Sequence, residues 1–365
     1  MGVRVFEPAF GNRPSCLVGR DDLVEGFVAG LDAAPGSRER ATLLLGQRGS
    51  GKTVLLWEFA DRAREKGFAV ANPTVCDEGL LERIVEKVQD DGSHYVREGK
   101  AKLVGGTVGA LGFSAGLEFE RDVQQTKSAQ YRLTQLCRRL TEQGHGVLIL
   151  VDEVRATSTE LRQLVALYQE LVGQKLDVAL VMAGLPAAVS ATLNDHVLTF
   201  LNRANKVELG PLKTREVDAY YEVAFRQAGI DVPDELRLKA AQATKGSPYM
   251  LQLVGYELVL RAKDGSVDES VFQTALSYAQ EDFENDVCKT TLAALSDKDI
   301  DFLYAMSQDN GPSSISDIAQ HMGVKPDYAQ KYRRRLIGAG VIESPRRGEV
   351  AFAVPYLAEY LKEQA

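Results

Sequence analysis

At 365 residues the chain is too long for one small core and suggests two or three domains, and with 45% hydrophobic and 26% charged residues its composition is ordinary for a soluble protein. Its longest apolar runs, Val147 to Val151 and Val178 to Val189 broken at Pro186, are too short to cross a bilayer, and the N-terminus carries no apolar signal core, so a cytoplasmic location with no membrane partner is expected. A net charge of −8 excludes indiscriminate nucleic-acid binding by the whole surface, and Cys16, Cys76, Cys137 and Cys288, with no CxxC spacing, point to reduced, mostly buried thiols and not to a zinc site or disulfide framework.

In chain order, a turn at Leu17 to Asp21 leads into an amphipathic helix, and the apolar run Thr42 to Leu45 reads as a buried parallel strand. The next eight residues, Gly46, Gln47, Arg48, Gly49, Ser50, Gly51, Lys52 and Thr53, fit GxxxxGK[ST]. Phosphate binding needs each residue type here. The glycines let backbone amides converge on phosphates, Lys52 meets the β- and γ-phosphates, and the Thr53 hydroxyl ligates Mg²⁺. Val54 to Arg64 follows with helical spacing, so strand, glycine loop and helix N-terminus stand in the order that phosphate binding needs.

Phe68 to Val75 reads as a second strand and Glu78 to Asp90 as a helix. From Leu103 to Glu120 glycines and small polar residues alternate with apolar ones, which predicts an inserted β-hairpin with acidic Glu118 and Glu120 near its tip. Gln125 to Gln143 reads as a helix and Val147 to Val151 as a wholly apolar strand that ends in Asp152-Glu153. A strand-end acidic pair downstream of a glycine loop is the expected second half of an ATPase site, with Asp152 holding the Mg²⁺ shell and Glu153 polarising the attacking water. Taken alone, the same pair also reads as a helix N-cap beside a surface acid.

A helix (Thr159 to Val172), a core strand (Asp177 to Ala183) and a last strand (Lys206 to Leu209) complete an α/β domain over residues 1–211. Residues 212–293 read as a lid of about four helices, with turns at Gly229, Pro233, Gly246-Ser247-Pro248 and Asp264-Gly265. In residues 294–365 helices at Asp297 to Gln308, Ser314 to Met322 and Pro326 to Ala339, then two short strands around Pro345 to Gly348, give the layout of a winged helix-turn-helix. Lys325 to Arg347 is locally basic. With Pro326 to Ala339 as recognition helix, Gln330, Lys331, Arg333 and Arg334 face a DNA major groove, Arg346 and Arg347 at the wing tip meet phosphates, and Tyr328, Tyr332, Leu336 and Ile337 pack inward. The other reading of this face is a solvated charged helix on a winged helix that binds protein.

On these residues the chain resembles the AAA+ ATPases of the origin-recognition and archaeal-ATPase type, close to the STAND ATPases, from Leu17-Val18-Gly19-Arg20-Asp21 to the terminal winged helix. The resemblance implies a P-loop NTPase fold of AAA+ type, a parallel sheet with a helical lid and a winged helix, binding ATP or ADP with Mg²⁺. It carries Val18, Gly19 and Arg20 over as contacts to adenine and ribose, and Arg203 as an arginine that reaches the γ-phosphate of a neighbouring subunit. The absence of an NKxD-like segment also favours adenine over guanine. Two departures stand out. The strand ending Met182-Ala183-Gly184 has no polar residue to position water, and Gly246-Ser247-Pro248-Tyr249 stands where many relatives carry an arginine, with Pro248 instead resembling the nucleotide-touching proline of STAND proteins. The expected function is a Mg²⁺-dependent ATPase of slow turnover whose nucleotide state controls double-stranded DNA binding or assembly with itself or a partner protein. The alternatives are a STAND-like signalling or defence switch whose winged helix binds protein, and a nucleotide-gated transcription regulator without significant hydrolysis.

Overall fold

The computed structural model describes residues 5–8, 13, 16–103, 128–155, 157–186, 188–189 and 199–364. The expected hairpin at Leu103 to Glu120 lies outside them except for Leu103. The first half is a five-stranded parallel sheet in the order β2-β3-β4-β1-β5, with β1 Ala41–Gly46, β2 Phe68–Val75, β3 Gly146–Asp152, β4 Val178–Gly184 and β5 Asn205–Leu209. Every residue of β1, β3 and β4 is buried, because these three strands are interior and both faces are covered. The edge strand β5 instead alternates partly buried with exposed residues.

Alternate strand residues feed two apolar layers. Leu44, Val70, Leu148, Leu150 and Val181 pack on one face against α1 (Asp21–Leu31) and α2 (Lys52–Glu65), where Phe27 stacks on Phe59 at 4.0 Å. Leu43, Ala69, Val147, Ile149 and Leu180 pack on the other face against α3 (Leu80–Leu103), α4 (Ala129–Glu142) and α5 (Thr159–Gly173). The α3 helix runs on past Asp90, where the sequence pattern ends it. Beyond that point Tyr95 donates its hydroxyl to Phe68 O (3.0 Å) and stacks on His145, and these long-range contacts carry the helix through Asp-Gly-Ser.

Four helices, α6 (Thr214–Ala228), α7 (Asp234–Ala243), α8 (Pro248–Arg261) and α9 (Glu269–Phe283), make the lid. Ser247 caps α8, accepting from Met250 N, and Asp268 caps α9, accepting from Val271 N. Val5 and Phe6 are buried in this helical layer, with Phe6 against Tyr220, Tyr221 and Phe225, so the N-terminal segment packs with the lid although sequence order sets it with the core domain. Within the helical stretch expected over residues 212–293, a π-helical turn, Glu284–Cys288, intervenes before α10 (Lys289–Ala293).

The C-terminal unit comprises α11 (Asp297–Ser307), β6 (Ser313–Ser314), α12 (Ile315–His321), α13 (Pro326–Gly338), β7 (Ile342–Glu343), β8 (Glu349–Phe352) and α14 (Leu357–Gln364). Its antiparallel sheet has the order β6-β8-β7, and the whole has the element order of a winged helix. The two-residue β6 and the helix α14 are additions to the pattern read from the sequence. Asp299 is fully buried: its Oδ2 closes the capping box with Ser296 and accepts from Arg335 at 2.9 Å, which ties α11 to α13. Tyr332 and Leu336 pack inward as expected and Ile337 is half-buried, but Tyr328 is 43% exposed, its hydroxyl accepting from that of Tyr332 at 2.9 Å. No described helix is long and apolar enough to cross a membrane.

Candidate nucleotide site

In an open parallel sheet the crevice for ligands lies beyond the carboxyl ends of the strands, and a cavity of about 680 Å³ opens there. It is bordered by the loop after β1, the end of β3, Gly184 at the end of β4 with Leu185 just after it, and Pro248 and Tyr249 at the start of α8. Gly51 is the N-cap of α2 with φ of 86°, a left-handed conformation that glycine adopts without strain, and it aims the following amides into the cavity. Pro248 stands 3.8 Å from where a Cβ on Gly51 would lie, so the lid meets the loop directly.

Lys52 Nζ donates to Gly46 O (2.8 Å) and Gln47 O (2.7 Å). Burial pulls the Lys52 ammonium below its ordinary pKa, opposed by the carboxylates of Asp152 and Glu153 and reinforced by Arg48. Thr53 Oγ1 donates to Asp152 Oδ2 at 2.6 Å, although 99 positions separate the two in sequence. A hydroxyl and a carboxylate oxygen so placed form a hard donor pair that fits Mg²⁺ bound by few protein ligands and completed by phosphate oxygens and water. Among the described residues no group of three or more His, Cys, Asp or Glu forms a metal cluster of its own.

Glu153 lines the same cavity with φ of 51°, a left-handed conformation unusual for a side-chain-bearing residue, and its backbone N–H donates to Asp152 Oδ1. Val18 and Arg20 border the cavity too, and Arg20 donates to Gly210 O at 2.6 Å; burial lowers its pKa against the raising effect of Glu216. Gly19 is a left-handed turn packed on Glu216 and does not line the cavity. Neither does Gln47, whose side chain turns outward against Gly340. Arg203 ends a 3-10 turn, Thr199–Arg203, and is exposed outside the cavity.

Several bordering residues carry no signal of their own in the sequence. Glu7 and Gln252 meet through Glu7 N donating to Gln252 Oε1 (3.1 Å), and exposed Cys16 and Arg155 also face the cavity. Tyr249 donates its hydroxyl to Asp286 at 2.5 Å on the π-helical turn; burial raises its pKa, with the Asp286 hydrogen bond adding. The end of β4 contributes Gly184 and Leu185, both without a polar side chain, in keeping with the missing polar residue at this point of the sequence.

On the C-terminal unit, Lys331, Arg334, Arg346 and Arg347 are exposed and Gln330 is half-buried. Arg333 is half-buried and donates to Ser344 Oγ at 3.0 Å, so it braces the helix against the strand pair.

Residues 16–182 match the AAA ATPase domain family, and residues 285–361 match a domain family of unknown function. No curated protein matches the sequence. Among solved structures, the Walker-type ATPase PABY2304 of Pyrococcus abyssi is similar over 98% of this chain and 99% of its own, with 17% identity and a TM-score of 0.70. The ORC2 protein of Aeropyrum pernix, in ADPNP–ADP complexes, is similar over 99% and 96%, with 15% identity and a TM-score of 0.67. A glycine loop, a strand-end Asp-Glu pair and a lid meeting at one cavity agree with both findings: residues 16–182 match the AAA ATPase domain family, and the chain as a whole has the P-loop ATPase fold that these two structures share.

Proposed function

We propose that the protein binds ATP or ADP with Mg²⁺ and uses nucleotide state to set the position of its C-terminal unit, and through it DNA engagement or assembly. One observation supports this coupling most directly. The loop whose Thr53 meets Asp152 also presents Gln47 to Gly340, where a Cβ would overlap Gln47 Oε1 and lie 3.3 Å from Leu185 Cδ2. Gln47 Oε1 is buried there without a hydrogen-bond partner. Phosphates that rearrange the loop therefore act on the turn after α13.

In this reading residues 1–211 hold the nucleotide, 212–293 close over it and 294–365 respond. Gly46, Arg48, Gly49, Ser50 and Gly51 shape the phosphate cradle, Lys52 neutralises it, Thr53 and Asp152 hold the metal, and Val18, Arg20 and Pro248 border the nucleoside. Bound Mg²⁺ would offset charge on the phosphoryl oxygens. Glu153 orients the attacking water, and exposed Arg203 serves a neighbouring subunit. Lys331, Arg334, Arg346 and Arg347 offer a basic face to phosphates. ATP turnover with and without double-stranded DNA tests the reading: slow turnover that DNA changes is expected, with DNA affinity that falls steeply with salt. Replacing Arg346 and Arg347 together by Ala should flatten the salt slope by about 2, roughly 1 per phosphate contact. Turnover and salt dependence that ignore both DNA and the double substitution contradict DNA engagement.

A second reading, a STAND-like switch held closed on ADP, draws on the apolar end of β4 and the seat of Gly340 on the loop. Gly340→Leu tests the coupling that both readings share. Gly340 has φ of 69°, which strains any side-chain-bearing residue, and a leucine there must displace Gln47 and push against Leu185 as well. Release of a fluorescent ADP analogue is expected to speed up about tenfold, a loss of about 1.4 kcal/mol. An unchanged release rate removes the C-terminal unit from nucleotide control.

A further inference from the structure

We infer that Arg155 is the cis arginine of this site and meets the terminal phosphate of a bound nucleoside triphosphate, taking the place of the arginine that the lid lacks. The inference rests on the ATP-site reading above. Four cationic side chains border the cavity among the described residues: Arg20, Arg48, Lys52 and Arg155. Two have other work. Arg20 is held by Gly210 O beside Val18, at the nucleoside end, and Lys52 is held within the loop by the carbonyls of Gly46 and Gln47. Arg48 is exposed on the loop itself, where its charge acts on Lys52.

Arg155 differs in position. Its guanidinium lies 3.9 Å from the Glu153 carboxylate and both residues line the cavity. With Glu153 as the residue that orients the attacking water, as proposed above, its neighbour Arg155 stands near the terminal phosphate that this water attacks. Both partners of that ion pair are more than half exposed, at 57% and 65%, so the pair is weakly held and readily exchanged. A terminal phosphate, with more negative charge than one carboxylate and two oxygens for a planar guanidinium, is the better partner. The exchange has a second consequence: once Arg155 turns to the phosphate, Glu153 is released to accept a hydrogen bond from water. Among the other residues that border the cavity, Gly184, Leu185 and Pro248 carry no side-chain charge.

The test compares wild type, Arg155→Ala and Arg155→Lys by titration calorimetry with Mg²⁺-ADP and Mg²⁺-AMP-PNP, together with single-turnover hydrolysis of ATP. Arg155→Ala should weaken AMP-PNP about tenfold or more, leave ADP within about twofold, and slow the single turnover by a similar factor. Arg155→Lys should recover part of the AMP-PNP affinity, because charge is kept and the planar fork is lost. Equal affinities for both nucleotides in Arg155→Ala and wild type overturn the assignment. So does an equal loss for both, which would mark Arg155 as a brace for the loop. Wild-type protein that binds neither nucleotide overturns the ATP-site reading itself and the assignment with it; wild-type binding with an inert Arg155 overturns the assignment alone.

Discussion

Lys52→Ala is expected to weaken Mg²⁺-ATP binding by two to three orders of magnitude and to abolish measurable turnover. The magnitude follows from truncating one partner of a partly desolvated charge pair, which costs about 3–4 kcal/mol. The ammonium already sits at the mouth of the loop, held by two carbonyls, so no large movement is needed to deliver it to phosphate oxygens. Its pKa adds a distinguishing signature. Burial holds it below the ordinary lysine value in the free protein, and the negative charge of bound phosphates raises it. Binding therefore takes up a proton at pH values above the lowered free pKa and below the raised bound one, and affinity falls as pH rises through that alkaline interval. Lys52→Arg, which keeps its charge at all accessible pH, should lose this dependence while retaining some affinity. Calorimetry across the alkaline range in buffers of different ionisation enthalpy measures both effects. Binding by Lys52→Ala within about threefold of wild type would falsify the placement of phosphates in this loop.

The reach of the sequence differs between kinds of residue. Gly46 to Thr53 is legible because its chemistry lies in one short segment whose residue types have few other uses, and Asp152 because a wholly apolar strand leaves its terminal carboxylate nowhere to go but the strand end. The sheet follows from apolar runs of strand length separated by helical periodicity, and the 2.6 Å contact of Thr53 with Asp152 joins the two halves in space. What stays hidden depends on packing between distant segments. The Asp-Asp-Gly-Ser stretch reads as a helix end, yet the α3 helix passes through it because Gly92 admits Leu140 and Ala69 at 3.3 and 3.6 Å from a would-be Cβ. Glu7 beside Gln252, Phe6 inside the lid and Gln47 against Gly340 each pair residues from distant parts of the chain, for which no local pattern exists. Arg155 is hidden for a different reason: a lone arginine after an acidic pair looks like any exposed cation until the cavity is drawn around it.

The joint between core and lid is the other place where one atom should have a large effect. Gly246 has φ of 74°, and its carbonyl accepts from Leu212 N at 2.9 Å, so the turn before α8 is fastened to the end of the core. A Cβ at Gly246 would lie 2.6 Å from Pro211 Cβ, 2.8 Å from Leu212 O and 3.0 Å from Leu212 N. Two of these are backbone atoms of the opposing segment, which cannot swing aside as a side-chain end can. Gly246→Ala therefore combines left-handed strain of about 1–2 kcal/mol with overpacking of about 1–3 kcal/mol, and the sum is expected to reach about 3 kcal/mol. The relief available is for the turn to back away from Leu212, which withdraws Pro248 and Tyr249 from the cavity two and three residues later. Urea denaturation should show the loss of stability, and nucleotide titration should show weakened ATP and ADP affinity together, because in the proposed reading Pro248 of the lid borders the nucleoside that both share. Pro248→Ala supplies the control: it removes the lid's contact near Gly51 without straining the joint, so affinity should fall while the denaturation midpoint stays close to wild type. Loss of stability in Gly246→Ala with unchanged nucleotide affinity would mean that the cavity does not need the lid.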